Sequence, residues 1–217
     1  MFDAVVFDMD GVIFDSEKLY RKHWKITGEE IGISSIEMDE VCNLLAGATK
    51  EVNGIMMKKR YGEDFDYLEV RRRTMVRLDA DIEENGLELK PGVIEIFEYI
   101  KSRNMKMALA TSTHIDRATM HLREAGLYDY FDELVFGNMV EHGKPAPDIY
   151  IQACERLRVE PCKTIGIEDS INGVISCHGA GLYTVMVVDL VPPTKLIREE
   201  IADKVLDNLY QVIDLIK

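Results

Sequence analysis

The chain has 217 residues, 47% hydrophobic and 30% charged, which excludes a disordered or collagen-like polymer and fits one soluble domain, or one carrying a smaller insert. Acidic residues outnumber basic ones 39 to 26, and the formal charge of −13 repels nucleic acid and anionic membrane, so neither is expected as a partner. A local site can still carry its own positive charge and take an anion.

No uncharged run approaches the ~18 residues of a membrane span. The start, MFDAVVFDMD, holds Asp3 and Asp8 within its apolar stretch and no basic segment before it, so it does not read as a secretion signal. Cys42, Cys154, Cys162 and Cys177 form no CxxC pair and meet no His at zinc-finger spacing. They read as thiols of a reducing cytoplasm.

The first strand expected is AVVF (4–7). The stretch from about 16 to 88 then holds no convincing strand and reads as four helices, 17–31, 37–46, 49–61 and about 64–84. That is far more helix than one crossover needs. It is expected to be an inserted helical domain over 16–88, with hinges near Asp15-Ser16 and in GLELKPG (86–92). Trp24, Tyr20, Met56, Met57 and Phe65 read as the packing core of this insert, and RRR (71–73) as a solvated helix face.

From there short apolar runs alternate with helical-period stretches. The runs are KMALAT (106–111), ELVF (133–136), TIGIE (164–168), YTVMVV (183–188) and a weaker KVL (204–206). The helices fall at 93–104, 115–126, 147–159 and 170–181. This alternation means a doubly wound α/β domain, residues 1–15 and 89–217. Its parallel sheet is covered on both faces and its ligands bind at the carboxyl ends of the strands.

Polar residues interrupt the strands at those ends. FDMDGVIFDS (7–16) puts Asp8 and Asp10 after the first strand, where period-2 alternation sets both carboxylates on one side, and Gly11 allows a tight turn. Thr111-Ser112-Thr113 ends the second strand, and hydroxyls entering a helix N-terminus suit an anion as well as an ordinary cap. Lys144 stands in GKPAPDIY (143–150). A P-loop is excluded there, because Pro145 occupies the place of the required Ser or Thr. Glu168 and Asp169 end the fourth strand in IEDSINGV (167–174), where Asp169 or Ser170 can also serve as a helix cap.

Each feature alone has a bland reading as a turn, cap or solvated loop. Together, four strand ends carrying DxD, Thr, Lys and Glu-Asp converge in a doubly wound sheet. Asp8, Asp10, Glu168 and Asp169 against Lys144 leave a charge of −3 that a partly dry cleft cannot hold without a cation. An all-oxygen donor set favours Mg²⁺, and a hard metal with a lysine and backbone donors suits phosphoryl transfer.

In these residues the chain resembles the haloacid dehalogenase superfamily of Mg²⁺-dependent phosphatases and phosphomutases. FDMDGVIFDS, ALATST (108–113), GKPAPDIY and IEDSINGV resemble its four motifs in order, across the whole chain. The helical insertion is similar to the cap of the β-phosphoglucomutase-like subgroup. The resemblance implies a Rossmann-like core with the first strand at the centre of the sheet. It implies Asp8 as nucleophile and metal ligand, and Asp10 as general acid/base that also gives the metal its carbonyl. It further implies Thr111, Ser112 and Lys144 on the phosphoryl group, and Glu168 and Asp169 at the metal. The dehalogenases of the superfamily work without metal and have no need of Asp10, Glu168 and Asp169 together. Within the subgroup, Tyr20 and Lys50 replace a hinge-proximal histidine and a phosphate-clamping arginine of the mutase, and Ser16 opens the cap beside them. These departures favour hydrolysis of a small phosphorylated metabolite over isomerisation, by a monomer or weak homo-oligomer.

Overall fold

Ala4–Phe7 carries no polar side chain and all four residues are fully buried, as happens when both faces of a strand are covered. In the computed structural model this strand, β1, lies inside a six-stranded parallel sheet with β2 (Lys106–Thr111), β3 (Glu133–Phe136), β4 (Thr164–Glu168), β5 (Tyr183–Val187) and β6 (Lys204–Leu206). The structure describes residues 2–45 and 50–217, the side chains of Lys50 and Glu51 excepted. Its helices among those residues are α1 (Ser16–Glu30), α2 (Ser35–Leu45), α3 (Lys50–Tyr61), α4 (Tyr67–Asn85), α5 (Val93–Ser102), α6 (Ile115–Glu124), α7 (Asp148–Leu157), α8 (Ile171–Gly179) and α9 (Leu209–Ile216).

The strand order is β3-β2-β1-β4-β5-β6. The chain moves outward from β1 through β2 to β3, then returns to the other side of β1 for β4. The carboxyl ends of β1, β2 and β4 therefore border the point where the winding reverses, the ligand crevice of such sheets. Alternation along the strands feeds two cores. Val5, Phe7, Leu109, Ile165 and Ile167 pack with α5, α6 and α9. Ala4, Val6, Ala108 and Ala110 pack with α7 and with Cys177 of α8. This is the α/β, Rossmann-like, doubly wound core expected from the alternating pattern.

The chain divides into two compact units, Met1–Asp15 with Leu87–Lys217, and Ser16–Gly86. The first unit begins its second segment two residues before the expected position 89, and local pairing explains this. Phe14 forms an antiparallel bridge with Leu89. The Asp15 N–H donates to Glu88 O at 2.9 Å and the Lys90 N–H to Ile13 O at 2.8 Å. Leu87 and Glu88 are thus drawn into a short stem of the sheet-bearing unit. The Lys90 ammonium adds a bond to Asp189 Oδ1 at 2.5 Å and lies 3.6 Å from Asp15 Oδ1.

The helical unit has its own core, in which Trp24, Met38, Val41 and Met57 are buried and Tyr20, Met56 and Phe65 pack at its edge. Trp24 stacks on Tyr67 at 6.1 Å between ring centroids. Local capping sets the helix ends. The Ser34 hydroxyl accepts the Glu37 N–H at 3.2 Å, so α2 starts ahead of the expected 37. Asp66 Oδ1 accepts the Glu69 N–H at 3.0 Å and delays α4 to Tyr67. Of the arginine triplet, Arg72 pairs with Glu69 on the surface and Arg73 with Glu30. No helix of the described residues is long and apolar enough to cross a membrane.

Candidate active site

β1 stops at Phe7, level with Leu109 of β2 and Ile167 of β4. The Asp8 N–H donates to Ile167 O at 2.9 Å, which brings Asp8 beside the next residue of β4, Glu168. Both residues are buried, at 7% and 0% exposure. Lys144, from the loop after β3, fills the space between them. Its ammonium donates to Asp8 Oδ1 at 2.6 Å, to Glu168 Oε1 at 2.5 Å and to the Ala110 carbonyl of β2 at 2.9 Å. Three strands and one loop are joined through a single charge.

Burial penalises the ammonium, but Asp8 and Glu168 outweigh it and hold Lys144 above its ordinary range. Burial likewise pushes the Asp8 carboxyl up to about 7, with Glu168 and Asp10 adding to the rise and Lys144 opposing it.

Asp8, Glu168 and Asp169 offer carboxylate oxygens that all lie within 4.8 Å of one another. Three carboxylates facing one ammonium leave excess negative charge in a buried place. Two glycines keep that place open. A Cβ on Gly11 would lie 2.2 Å from Asp169 Oδ2, and one on Gly173 would lie 1.9 Å from Glu168 Oε1. Gly11 also takes φ +82°, which favours glycine. A hard, all-oxygen donor set with surplus charge, in a cradle that side chains would fill, fits Mg²⁺.

Glu168 is the most restrained member. Its Oε2 accepts from the Asp169 N–H, the Ser170 N–H and the Ser170 hydroxyl at 3.1, 3.3 and 3.1 Å. Its Oε1 accepts from Lys144 and from the Tyr150 hydroxyl, the latter at 2.8 Å. Ser170 is also the N-cap of α8, its hydroxyl oxygen accepting from the Gly173 N–H at 3.0 Å.

Asp10 lies three residues beyond the end of β1. Because β1 ends at Phe7 and residues 11–13 form a turn, its carboxylate stands outside the cluster of three, and Oδ2 accepts from the Thr113 hydroxyl at 2.8 Å. Thr111 is buried, its hydroxyl oxygen accepting the Thr113 N–H at 3.0 Å. Ser112 is exposed in the same loop, and its carbonyl lies so near Gly137 that a Cβ there would approach to 2.4 Å. Asp8, Asp10, Thr111, Ser112, Lys144, Glu168 and Asp169 all belong to the sheet-bearing unit.

The remaining candidates belong to the helical unit. Ser16 is the first residue of α1. Tyr20, one turn on, packs edge-on against Trp24 at 5.9 Å between centroids, and burial pushes its phenol up to about 12. The Lys50 side chain lies outside the described residues. Three side-chain partners are not site candidates by sequence: Thr113, Tyr150 and Ser170, the last of which reads only as a helix cap. Thr113 had a visible signal, a third hydroxyl at the strand end. Tyr150 had only its place in GKPAPDIY, where its apolar ring reads as helix packing.

The sequence pattern of the haloacid dehalogenase-like hydrolases matches residues 2–181. The chain belongs to this family. It is 38% identical over 180 residues to the phosphorylated carbohydrates phosphatase of Thermotoga maritima, a match covering 83% of this chain and 82% of that one. It is 29% identical over 224 residues to the beta-phosphoglucomutase of Bacillus subtilis, covering 96% and 94%. Among solved structures, a mutant of CbbY from Rhodobacter sphaeroides in complex with xylulose-(1,5)bisphosphate superposes with a TM-score of 0.72 at 27% identity, over 96% of this chain and 95% of that one.

Proposed function

We propose that this family member is a Mg²⁺-dependent phosphatase that hydrolyses a small phosphorylated carbohydrate, or a similar monoester, through an aspartyl-phosphate on Asp8. The observation that carries the reading is the buried Lys144 ammonium held between Asp8 and Glu168 at 2.6 and 2.5 Å. A carboxylate that approaches a phosphate dianion needs positive charge beside it, and Lys144 supplies that charge at Asp8. The carbohydrate class is supported by the name of the Thermotoga relative and by the sugar bisphosphate bound to the CbbY mutant.

In this reading Asp8 attacks phosphorus while Lys144, Thr111 and the Ser112 loop hold the phosphoryl oxygens. Asp10 gives a proton to the leaving oxygen and then takes one from the water that opens the acyl phosphate. The Thr113 hydroxyl orients Asp10 for both transfers. Asp8 and Asp169 would hold the cation with the Asp10 carbonyl, Glu168 beside them. When bound, the cation neutralises charge on the phosphoryl group and on Asp8. The deciding experiment measures phosphate release from a panel of sugar phosphates and other small monoesters, in chelator and again with Mg²⁺ restored. Release only with Mg²⁺ is expected, and full activity in chelator overturns the reading.

The second reading is a phosphomutase, favoured by the 29% identity to the Bacillus beta-phosphoglucomutase. Against it, Tyr20 stays protonated near neutral pH and passes no proton there as a histidine does. Lys50 offers a point charge where a bisphosphate intermediate needs a fork. Inorganic phosphate formed from β-glucose 1-phosphate, set against glucose 6-phosphate formed in the same tube, separates the two.

A further inference from the structure

We propose that Tyr150 is a positioning residue for Lys144 and acts through Glu168. The inference rests on the reading of Lys144 as the residue that holds the phosphoryl group. All three ammonium protons of Lys144 are directed, to Asp8, Glu168 and Ala110. Asp8 changes chemically during turnover, so Glu168 Oε1 is the one carboxylate that holds the ammonium throughout.

The two oxygens of Glu168 are secured unequally. Oε2 takes three donors from Asp169 and Ser170, at the backbone junction where α8 begins. Among the described residues, Oε1 takes only Lys144 and the Tyr150 hydroxyl. A lysine on four methylenes cannot fix the carboxylate that is meant to fix it. Tyr150 can. It lies in the first turn of α7, directly after the Lys144 loop, fully buried, with its ring in the core beneath β2. That ring is also 5.1 Å from the Lys144 Nζ, close enough to flank the ammonium. The hydroxyl thus ties the carboxylate of β4 to the helix that carries the lysine loop.

Tyr150→Phe keeps the ring and removes the hydroxyl. The test is isothermal titration of the full chain with fluoroberyllate, a phosphoryl mimic, at saturating Mg²⁺, alongside kcat/KM for an aryl phosphate. A hydrogen bond to a charged acceptor corresponds to about tenfold or more. Mimic affinity and kcat/KM are both expected to fall by that factor, with the melting temperature within a few degrees of native. The same change in a Glu168→Gln background is expected to cost less than about threefold, because the charged carboxylate it acts through has gone. Native binding by Tyr150→Phe, or an equal loss in both backgrounds, overturns the inference. If Glu168→Gln does not fold, the comparison in the native background decides. Lys144→Ala separates the two levels. Native mimic binding by that variant removes the reading of Lys144 itself, whereas weak binding there with native binding by Tyr150→Phe removes only the role of Tyr150.

Discussion

Asp8→Asn in protein stripped of metal removes one of three clustered carboxylates while keeping the shape of the side chain, and the effect on stability depends on pH in a direction fixed by the site. The Asp8 carboxyl rises from an ordinary 3.8 to about 7 on folding. Between those values the folded protein binds a proton that the unfolded chain has released. Stability from this group is complete below 3.8, falls across the window, and is gone above about 7. Each pH unit is worth about 1.4 kcal/mol. From about pH 5 to about pH 8 the native protein therefore loses roughly 3 kcal/mol that the asparagine variant keeps, a ceiling that local relaxation lowers. At about 2–4 °C per kcal/mol for a chain of this size, the melting-temperature advantage of the variant grows by up to roughly 6–12 °C across that interval. Circular-dichroism melts in chelator at the two pH values measure it. Saturating Mg²⁺ is expected to reverse the order, since the amide is the weaker ligand, and turnover is expected to be absent throughout. An advantage that does not change with pH, or a native protein that is more stable at about pH 8 in chelator, refutes the electrostatic account.

Asp10→Asn is expected to cost about 10²–10⁴-fold on an alkyl phosphate and much less on an aryl phosphate, whose leaving group needs no proton; equal losses in kcat on the two esters contradict its role as an acid. Gly173→Ala drives a methyl group into the Glu168 carboxylate. It is expected to lower stability by about 1–3 kcal/mol in urea titration and to disable phosphate release, and a stable, active variant counts against the packing described. Tyr20→His combined with Lys50→Arg is expected to raise the ratio of glucose 6-phosphate to inorganic phosphate formed from β-glucose 1-phosphate. A native protein that already isomerises faster than it hydrolyses makes the phosphomutase the better reading.

Much of this was legible in the sequence because strand ends in a doubly wound sheet are marked by an abrupt change from apolar to polar residues. AVVF, KMALAT, ELVF, TIGIE and KVL coincide with β1, β2, β3, β4 and β6. Helix ends were less legible, since Ser34 and Asp66 set them through single side-chain bonds that periodicity does not register. Alternation says nothing past the strand end, and Asp10, three residues beyond it, meets the Thr113 hydroxyl outside the cluster of three carboxylates. Tyr150 and Gly173 were hidden for another reason. Their part in the site depends on what lies across from them in space, and neither residue type announces a distant partner. The helix Leu209–Ile216 lies beyond the last expected helix, at 170–181, and Asn208 caps it by accepting the Gln211 N–H.

The short stem formed by Ile13–Asp15 and Glu88–Lys90 has a consequence for how this chain tolerates change. Whatever runs from Ser16 to Gly86 leaves and re-enters at neighbouring, hydrogen-bonded positions, so the sheet-bearing unit closes that loop itself. The entropy of closure grows only slowly with the length inserted. A seventy-residue excursion therefore burdens the core scarcely more than a brief turn does. The insert is free to diverge in sequence, length or helix number while the strand ends keep their register. In a lineage of such proteins, the two units can be inherited as separable cassettes, exchanged at two peptide bonds.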